Sequence, residues 1–420
     1  MIIKQKGTID IYGDYAKKCK YVNDVITSVF EKYNYGYIRT PLFENSELFH
    51  RSVGETTDIV TKETYDFKDR GDRNVTLRPE GTAGVVRSFI ENKMYGDAIQ
   101  PVKLYYMGTM YRYERPQSGR LREFTQSGCE VIGTNDPAID AEIISLPVMI
   151  FKLLGLKNIK VKLNSLGDTS SRNEYRENLI EYLKPHINDL CEDCQARFLK
   201  NPLRILDCKV DSENEIIKSA PRITDYLNND SKERFESVQK YLDLMEIDYE
   251  IDPNVVRGLD YYNHTVFEIT TTTNDGNEIT LAGGGRYNEM VKQLDGPDTS
   301  AIGFAMGMDR LMMVLESEEI KLNYTDSLDV YVMYVNQDEK DYAVALTQSL
   351  RMNGFNTDME YMGRSLKSQF KEADRFKTRY LIILNSDDIK DGKVNVKDNV
   401  TKEEKKVTES DLIDYLDMNI

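Results

Sequence analysis

YRYERPQSGRLREFTQSGCEVIG, residues Tyr111–Gly133, consists of strand-like runs on either side of a polar turn. Leu104–Tyr113 and Leu121–Gly133 flank ERPQSGR, in which Pro116 and Gly119 are turn residues, so a long hairpin is predicted. Four arginines, Arg112, Arg115, Arg120 and Arg122, fall within it beside Glu114, Glu123 and Phe124. Strand side chains alternate with period two, which puts Arg122, Phe124, Gln126, Gly128 and Glu130 on one face and Glu123, Thr125, Ser127, Cys129 and Val131 on the other. Neither is a plain apolar face, whereas a hairpin packed on a core normally has one, so a polar binding face is expected. Surface charge is the competing explanation for the arginines. An arginine fork suits carboxylate or phosphate, an aromatic ring stacks on a base, and Gln with Glu fixes an amine or a ring N–H. Together they suit an amino acid beside a nucleotide.

Upstream, Tyr15, Cys19, Val22, Ile26, Val29 and Tyr33 recur at helical spacing, with Gly36 as the expected stop. Tyr37–Phe43 reads as a short strand whose Pro41 suits an edge or an element end. TLRPEGTAGVVR, Thr76–Arg87, places Glu80 beside a flexible turn at Gly81 and by itself reads as a helix start with Glu in the first turn. Downstream, Asp136 and Pro137 offer an N-cap and a first-turn proline for a helix running toward Gly155, which Pro147 is expected to kink or split. Residues 170–250 are charged and helical in pattern and read as an insertion. Strand character returns in Thr265–Thr273, followed by the glycine run Ala282–Gly285, whose small residues permit close backbone approach to a ligand. In RGLDYYNHTVFE, Arg257–Glu268, an arginine precedes a Tyr pair just before a strand. In AIGFAMGMDRLMMVLE, Ala301–Glu316, Gly303 and Gly307 flank a short strand and Arg310 sits one turn into the next helix, where an exposed arginine is ordinarily only solvated. A polar linker, Ser317–Ser327, leads into Leu328–Val335 and an alternating strand and helix pattern that continues to the end.

The 420 residues imply more than one domain, and 40% hydrophobic with 30% charged residues fits a soluble globular protein. A net charge of -16 argues against a protein that coats nucleic acid, because that affinity comes from neutralising phosphates, so any RNA contact must be local. The opening MIIKQKGTID lacks the apolar stretch of a signal peptide, no run is long enough to span a bilayer, and five cysteines form no disulfide framework. A cytoplasmic location and no membrane partner are expected.

Taken in order, these strings resemble the three signature motifs of class II aminoacyl-tRNA synthetases and, more narrowly, the histidyl-tRNA synthetase family. The segment around Pro41 looks like motif 1, the hairpin like motif 2 and the helix with Arg310 like motif 3, while TLRPEGTAG and RGLDYY are specific to the histidyl branch and its paralogues. The resemblance implies an α/β chain: an antiparallel-sheet (α+β) class II core over residues 1–322 with the helical insertion at about 170–250, then an α/β anticodon-binding domain with a mixed sheet over 328–420. It implies a homodimer that uses L-histidine, ATP with Mg²⁺ and tRNA(His), with no tightly bound cofactor. Histidine is expected at Glu80, Gly81, Thr82, Arg112, Gln126, Glu130, Arg257, Tyr261 and Tyr262, with Glu130 and the Tyr pair facing the imidazole. ATP is expected at Arg112, Glu114, Phe124 and Arg310, the last two enclosing adenine, and Arg112 and Arg257 are the expected catalytic cations. Arg115, Gln117 and Arg120 are expected to meet the tRNA acceptor end.

Some positions depart from the family pattern. Ser118 stands where many relatives carry a cation, Tyr12 and Gly13 replace a common Leu-Pro pair, and Pro147 is unexpected. His264 lies near the expected site but reads as structural or solvent-facing. His186, Cys191, Cys194 and Cys208 have the donor types of a tetrahedral zinc site, but a second C-x2-C pair is missing and the family does not generally depend on zinc, so no firm metal site is expected. The rival reading is the non-catalytic regulatory subunit of ATP phosphoribosyltransferase, a paralogue that normally lacks the C-terminal domain and loses catalytic arginines. The presence of Arg112, Arg257, Arg310 and residues 328–420 disfavours it, and RGLDYY disfavours class II ligases for other amino acids.

Overall fold

A computed structural model describes residues 1–54, 57–117, 119–208, 210–211, 213–259, 261–324 and 327–419, so the departure at Ser118 lies outside the described residues. The chain forms two compact units, Met1–Leu322 and Asn323–Ile420. The first contains β1 (Gly36–Tyr37), β2 (Phe43–Asn45), β3 (Tyr65–Lys68), β4 (Asn74–Leu77), β5 (Val102–Tyr111), β6 (Glu123–Ile132), β7 (Ile159–Ser165), β8 (Tyr249–Ile251), β9 (Asn263–Thr272), β10 (Glu278–Arg286) and β11 (Ala301–Gly307). Eight of these make one sheet in the order β1-β5-β6-β11-β10-β9-β7-β8, antiparallel through its middle and parallel at the β1/β5 and β7/β8 edges. β2, β4 and β3 form a separate small sheet.

The predicted hairpin is β5 and β6, paired from Val102↔Ile132 to Tyr111↔Glu123. The expectation that neither face of β6 is apolar is corrected. Cys129 and Val131 are fully buried among Val22, Ile26 and Phe30 of the helix Gly13–Lys32 and Ile143, Ile150 and Phe151 of the helix Pro137–Leu153. A buried free cysteine packs as a small hydrophobe, so this face is apolar where it meets the core and polar only toward the turn. The other face, with Phe124, Gln126 and Glu130, is left to a pocket.

Three boundary readings also change. The first helix ends at Lys32 rather than at Gly36: Asn34 takes a left-handed φ of 62°, which Asn tolerates, and Gly36 already belongs to β1. The single strand expected over Tyr37–Phe43 is two strands in different sheets, since β1 pairs with β5 and β2 with β4. Pro41, which has no N–H to give a ladder, occupies the crossing between them. The helix Pro137–Leu153 runs unbroken through Pro147, capped by Asp136, whose Oδ1 accepts the Ala138 N–H at 2.9 Å. One missing hydrogen bond and its steric strain cost ~3 kcal/mol, while burial of each large apolar side chain returns ~1.5–3 kcal/mol, and Ile143, Ile144, Leu146, Ile150 and Phe151 are all fully buried. Asp140 ties this helix to the sheet. It is fully buried and accepts Arg286 Nε at 2.8 Å, Arg234 Nη2 at 3.0 Å and Thr265 Oγ1 at 2.6 Å.

The helices between residues 169 and 226 share a second core with the sheet's far end, including Tyr175, Leu179, Leu203 and Val266. The helix Asn229–Leu244 instead packs Phe235, Val238 and Leu242 into the first core. The second unit has a mixed sheet of β12 (Val330–Tyr334), β13 (Thr357–Met359), β14 (Tyr380–Leu384), β15 (Lys393–Asp398) and β16 (Glu404–Thr408), ordered β13-β12-β14-β15-β16, with the first three parallel. The helices Lys340–Met352 and Leu412–Asp417 bury Leu346, Leu350, Leu412 and Leu416 against Val330, Val332 and Ile382.

Candidate active site

The polar face of β6, with the adjoining strands β9 to β11, floors a pocket of about 370 Å³. At its inner end lies Glu130, which is 1% exposed. Its Oε1 accepts the Thr82 hydroxyl at 2.7 Å and its Oε2 the Tyr287 hydroxyl at 2.5 Å. Burial pushes the carboxyl up to about 8, against the opposing pull of those two hydrogen bonds. Gly303 on β11 makes room for this carboxylate, because a Cβ there would stand 1.7 Å from Oε2. Tyr261 and Tyr262 line the same end with their hydroxyls 3.4 Å apart, and the Tyr261 ring meets Tyr287 edge-on at 5.6 Å.

Glu80 is also buried and lines the pocket, but the plain helix-start reading of it holds at the same time. Its two oxygens accept the Thr82 and Ala83 N–H groups at 2.7 and 2.8 Å, satisfying donors that the helix Thr82–Glu91 leaves open. Gly81 is required next to it, since a Cβ there would meet the Tyr106 ring at 2.3 Å. Gln126 supplies a different kind of group: the residue lines the pocket and its buried Oε1 has no hydrogen-bond partner among the described residues. An orphaned buried acceptor costs about 1–3 kcal/mol, which a ligand N–H recovers on binding.

Three cations line the same pocket. Arg112 donates through Nε to the Pro79 carbonyl at 2.8 Å, packs over the Phe124 ring at 5.3 Å and lies 3.9 Å from Glu114. Arg257 is held in a left-handed backbone conformation, φ 65°, and is ion-paired with Glu268. Burial opposes its charge, but the Glu268 carboxylate and Tyr262 outweigh it and hold the pKa above its ordinary value. Arg310 donates to the Thr280 carbonyl at 2.9 Å and lines the pocket with Phe124. It is therefore partly buried rather than simply solvated.

Ala282 and Gly283 of the glycine run line the pocket, and Gly283 has a second role. These residues lie inside β10, and Gly283 gives room to the protein's own Arg257, whose guanidinium atoms would be 2.5 Å from a Cβ. The hairpin turn divides its residues. Arg120 lines the pocket, 3.4 Å from Glu114, whereas Arg115 and Gln117 are exposed on the turn. His264 sits beside Arg234, Arg286 and Asp140, where burial and the two arginines hold it down at about 4.

Sequence reasoning missed three residues. Tyr287 closes the AGGGRY string and anchors Glu130. Glu268, which also accepts the Thr280 hydroxyl at 3.2 Å, was signalled by being the one carboxylate in a Thr-rich strand. Asp309 accepts the Thr125 N–H at 2.8 Å and lines the pocket one residue before Arg310. The zinc candidate changes membership: Cys191, Cys194 and Cys208 cluster with Asp211, not with His186. His186 follows the helix Thr169–Leu183, and its ring lies 5.9 Å from that of Tyr182.

Comparison with known proteins accounts for nearly the whole chain. Residues 7–311 match the model of the histidyl-tRNA synthetase family, and residues 329–419 match that of the anticodon binding domain. A histidine–tRNA ligase of Anoxybacillus flavithermus is 51% identical over 412 residues, covering 98% of this chain and 97% of the relative. One from Bacillus cytotoxicus is 52% identical over 403 residues, covering 96% and 95%. The crystal structure of apo histidyl-tRNA synthetase from S. aureus superposes with a TM-score of 0.85 at 42% identity, covering 99% of this chain and 100% of that one. Likeness of this extent, in both sequence and fold, makes the chain a member of the histidyl-tRNA synthetase family.

Proposed function

We propose that the protein activates L-histidine with ATP and transfers it to the 3′ end of tRNA(His), and that the residues gathered in the pocket carry the reaction. The observation that supports this most is the pairing of opposites in one cavity: Glu130, buried and pinned by Thr82 and Tyr287, and the cations Arg112 and Arg257 line the same pocket. A buried carboxylate and phenols accept and donate to the two ring nitrogens of imidazole, and an apolar amino acid would leave those groups unpaired. The orphaned Gln126 Oε1 suits the α-amino group. Arg112 would hold the carboxylate and α-phosphate, Arg257 would meet the α-phosphate from the other side, and adenine would lie between Phe124 and Arg310.

In the first step a carboxylate oxygen of histidine forms a bond to the α-phosphorus while the bond to the β-phosphate oxygen breaks and pyrophosphate leaves. In the second, the terminal ribose hydroxyl of tRNA attacks the carbonyl carbon and AMP leaves. No protein nucleophile is required, since such chemistry is accelerated by positioning and by cations that meet the transition-state charge. Mg²⁺ would arrive with the triphosphate and neutralise part of its charge. The pocket carboxylate Glu114 is of the hard-oxygen type that fits it. Arg120, with Arg115 and Gln117 beyond it, would meet the acceptor end of tRNA, and residues 328–420 the anticodon. We assign residues 1–322 as the catalytic domain with an insertion at about 170–250, and propose a cytoplasmic homodimer paired through the segment around Pro41. No helix among the described residues is long and apolar enough to cross a membrane.

ATP–pyrophosphate exchange with each amino acid in turn tests the proposal. Exchange with histidine alone is expected. Exchange with a different amino acid overturns the specificity, and silence with all of them favours a regulatory protein.

A further inference from the structure

We propose that Cys191, Cys194, Cys208 and Asp211 bind one zinc ion, which ties Cys208, and with it the pocket residue Asp207, to the helix Glu192–Lys200. The four donor atoms lie within 4.8 Å of one another. Zn–S bonds of about 2.3 Å at the tetrahedral angle set neighbouring sulfurs about 3.8 Å apart. Cys191 Sγ and Cys208 Sγ are 3.6 Å apart. That is close to the tetrahedral edge and far from the ~2.05 Å of a disulfide. Thiolates with one carboxylate also match the preference of zinc among the common divalent ions.

Local structure brings the ligands together from two directions. Cys191 precedes the helix Glu192–Lys200 and Cys194 lies in its first turn, so the C-x2-C spacing points both sulfurs the same way. Cys208 and Asp211 arrive from the far side, after the turn Pro202–Ile205. The surroundings are apolar: Leu190, Leu203, Leu206 and Ile217 belong to the same buried cluster as Cys194 and Cys208. Asp211 is buried in this setting, and among the described residues no lysine or arginine forms an ion pair with it. It accepts the Cys191 N–H at 3.0 Å and also faces the thiols of Cys191, Cys194 and Cys208, so all four side chains converge on one point. A disulfide between Cys191 and Cys208 would leave both Cys194 and Asp211 unexplained.

The consequence reaches the pocket through one residue. Asp207, adjacent to Cys208, lines the catalytic pocket and interacts electrostatically with Arg257. A metal that fixes Cys208 therefore fixes where Asp207 stands.

The test uses the full chain, purified without chelator and measured for metal by mass spectrometry, then stripped and reloaded with Co²⁺. One zinc per chain is expected, and the cobalt form should show the thiolate charge-transfer and intense visible bands of a tetrahedral site. Cys194→Ser and Cys208→Ser should lose the metal at least tenfold, Asp211→Ala should change the cobalt spectrum, and His186→Ala should retain both metal and spectrum. The spectrum of the unmutated chain keeps the test valid where a cysteine variant fails to fold. Octahedral cobalt, an iron centre in place of zinc, no more metal than Cys194→Ser retains, or a Cys191–Cys208 disulfide in the native chain would each overturn the proposal. None of these readouts depends on which amino acid the enzyme activates.

Discussion

Replacing Arg257 with Ala removes a guanidinium that faces both the pocket and the carboxylate of Glu268. Two effects then add. Loss of one preorganised group aimed at developing transition-state charge costs ~10²–10³ in kcat, about 2.7–4 kcal/mol. The orphaned Glu268 also repels the incoming triphosphate. Two unit charges 4 Å apart at an effective dielectric of 20 interact by about 4 kcal/mol, an upper bound that solvent entering the space left by the side chain will reduce. The expected loss in histidine-dependent ATP–pyrophosphate exchange is therefore about 10³-fold or more. Histidine affinity, measured by calorimetry without ATP, should change far less, because Glu130, Tyr287 and Gln126 are untouched. Arg257→Lys keeps the charge without the fork and should fall between the two. A loss shared equally between histidine binding and exchange, or an Arg257→Ala enzyme within about tenfold of the parent, would refute the reasoning, since either would make Arg257 a binding or structural residue.

The Glu130 carboxyl stands at about 8 in the folded chain against 4.5 ordinarily, so the folded state holds a proton that the unfolded state releases. Its contribution to stability is complete below about pH 4.5 and is lost as pH rises toward 8, and Glu130→Gln should flatten this fall in the urea midpoint. His264, held down at about 4, has the opposite sign: its contribution is complete above about pH 6.5 and lost on acidification, so the interval from 6.5 to 8 isolates Glu130. Tyr287→Phe should raise the KM for histidine and cost about 1–3 kcal/mol of stability, because it leaves one buried oxygen of Glu130 without its donor; an unchanged KM would contradict the assignment. Gly303→Ala, whose Cβ would collide with Glu130 Oε2, should weaken histidine binding and lower stability together, as equilibrium binding and thermal denaturation would show. Asp140→Ala should cost about 3–5 kcal/mol in chemical denaturation, because it leaves Arg286 as an unpaired buried charge.

Much of the scaffold was legible because local rules and tertiary packing agree there. The Tyr111–Gly133 hairpin, the Asp136 cap and the return of strands after Val255 follow from turn residues, capping and period-two alternation. Legibility failed where a residue's meaning depends on what packs against it. Cys129 looked like part of a polar face and is core, and Pro147 looked like a break and lies inside a buried helix. Gly283 of β10 lines the pocket, but that it also admits the Arg257 guanidinium could not be read from the string.

By itself the sequence determined the order of motifs, the family to which they belong, and the residue types able to hold an amino acid beside a nucleotide. Those properties reside in spacing along the chain, which a sequence contains in full. Only the tertiary structure decided which groups are already engaged and which are free. It makes Glu80 a helix cap as well as a pocket residue, couples Tyr287 to Glu130 across 157 positions, turns Glu268 toward Arg257 and substitutes Asp211 for His186 beside the three cysteines. Hydrogen bonds, burial and charge pairing act through space over a few ångströms, and no periodicity along the chain records which distant residues come that close.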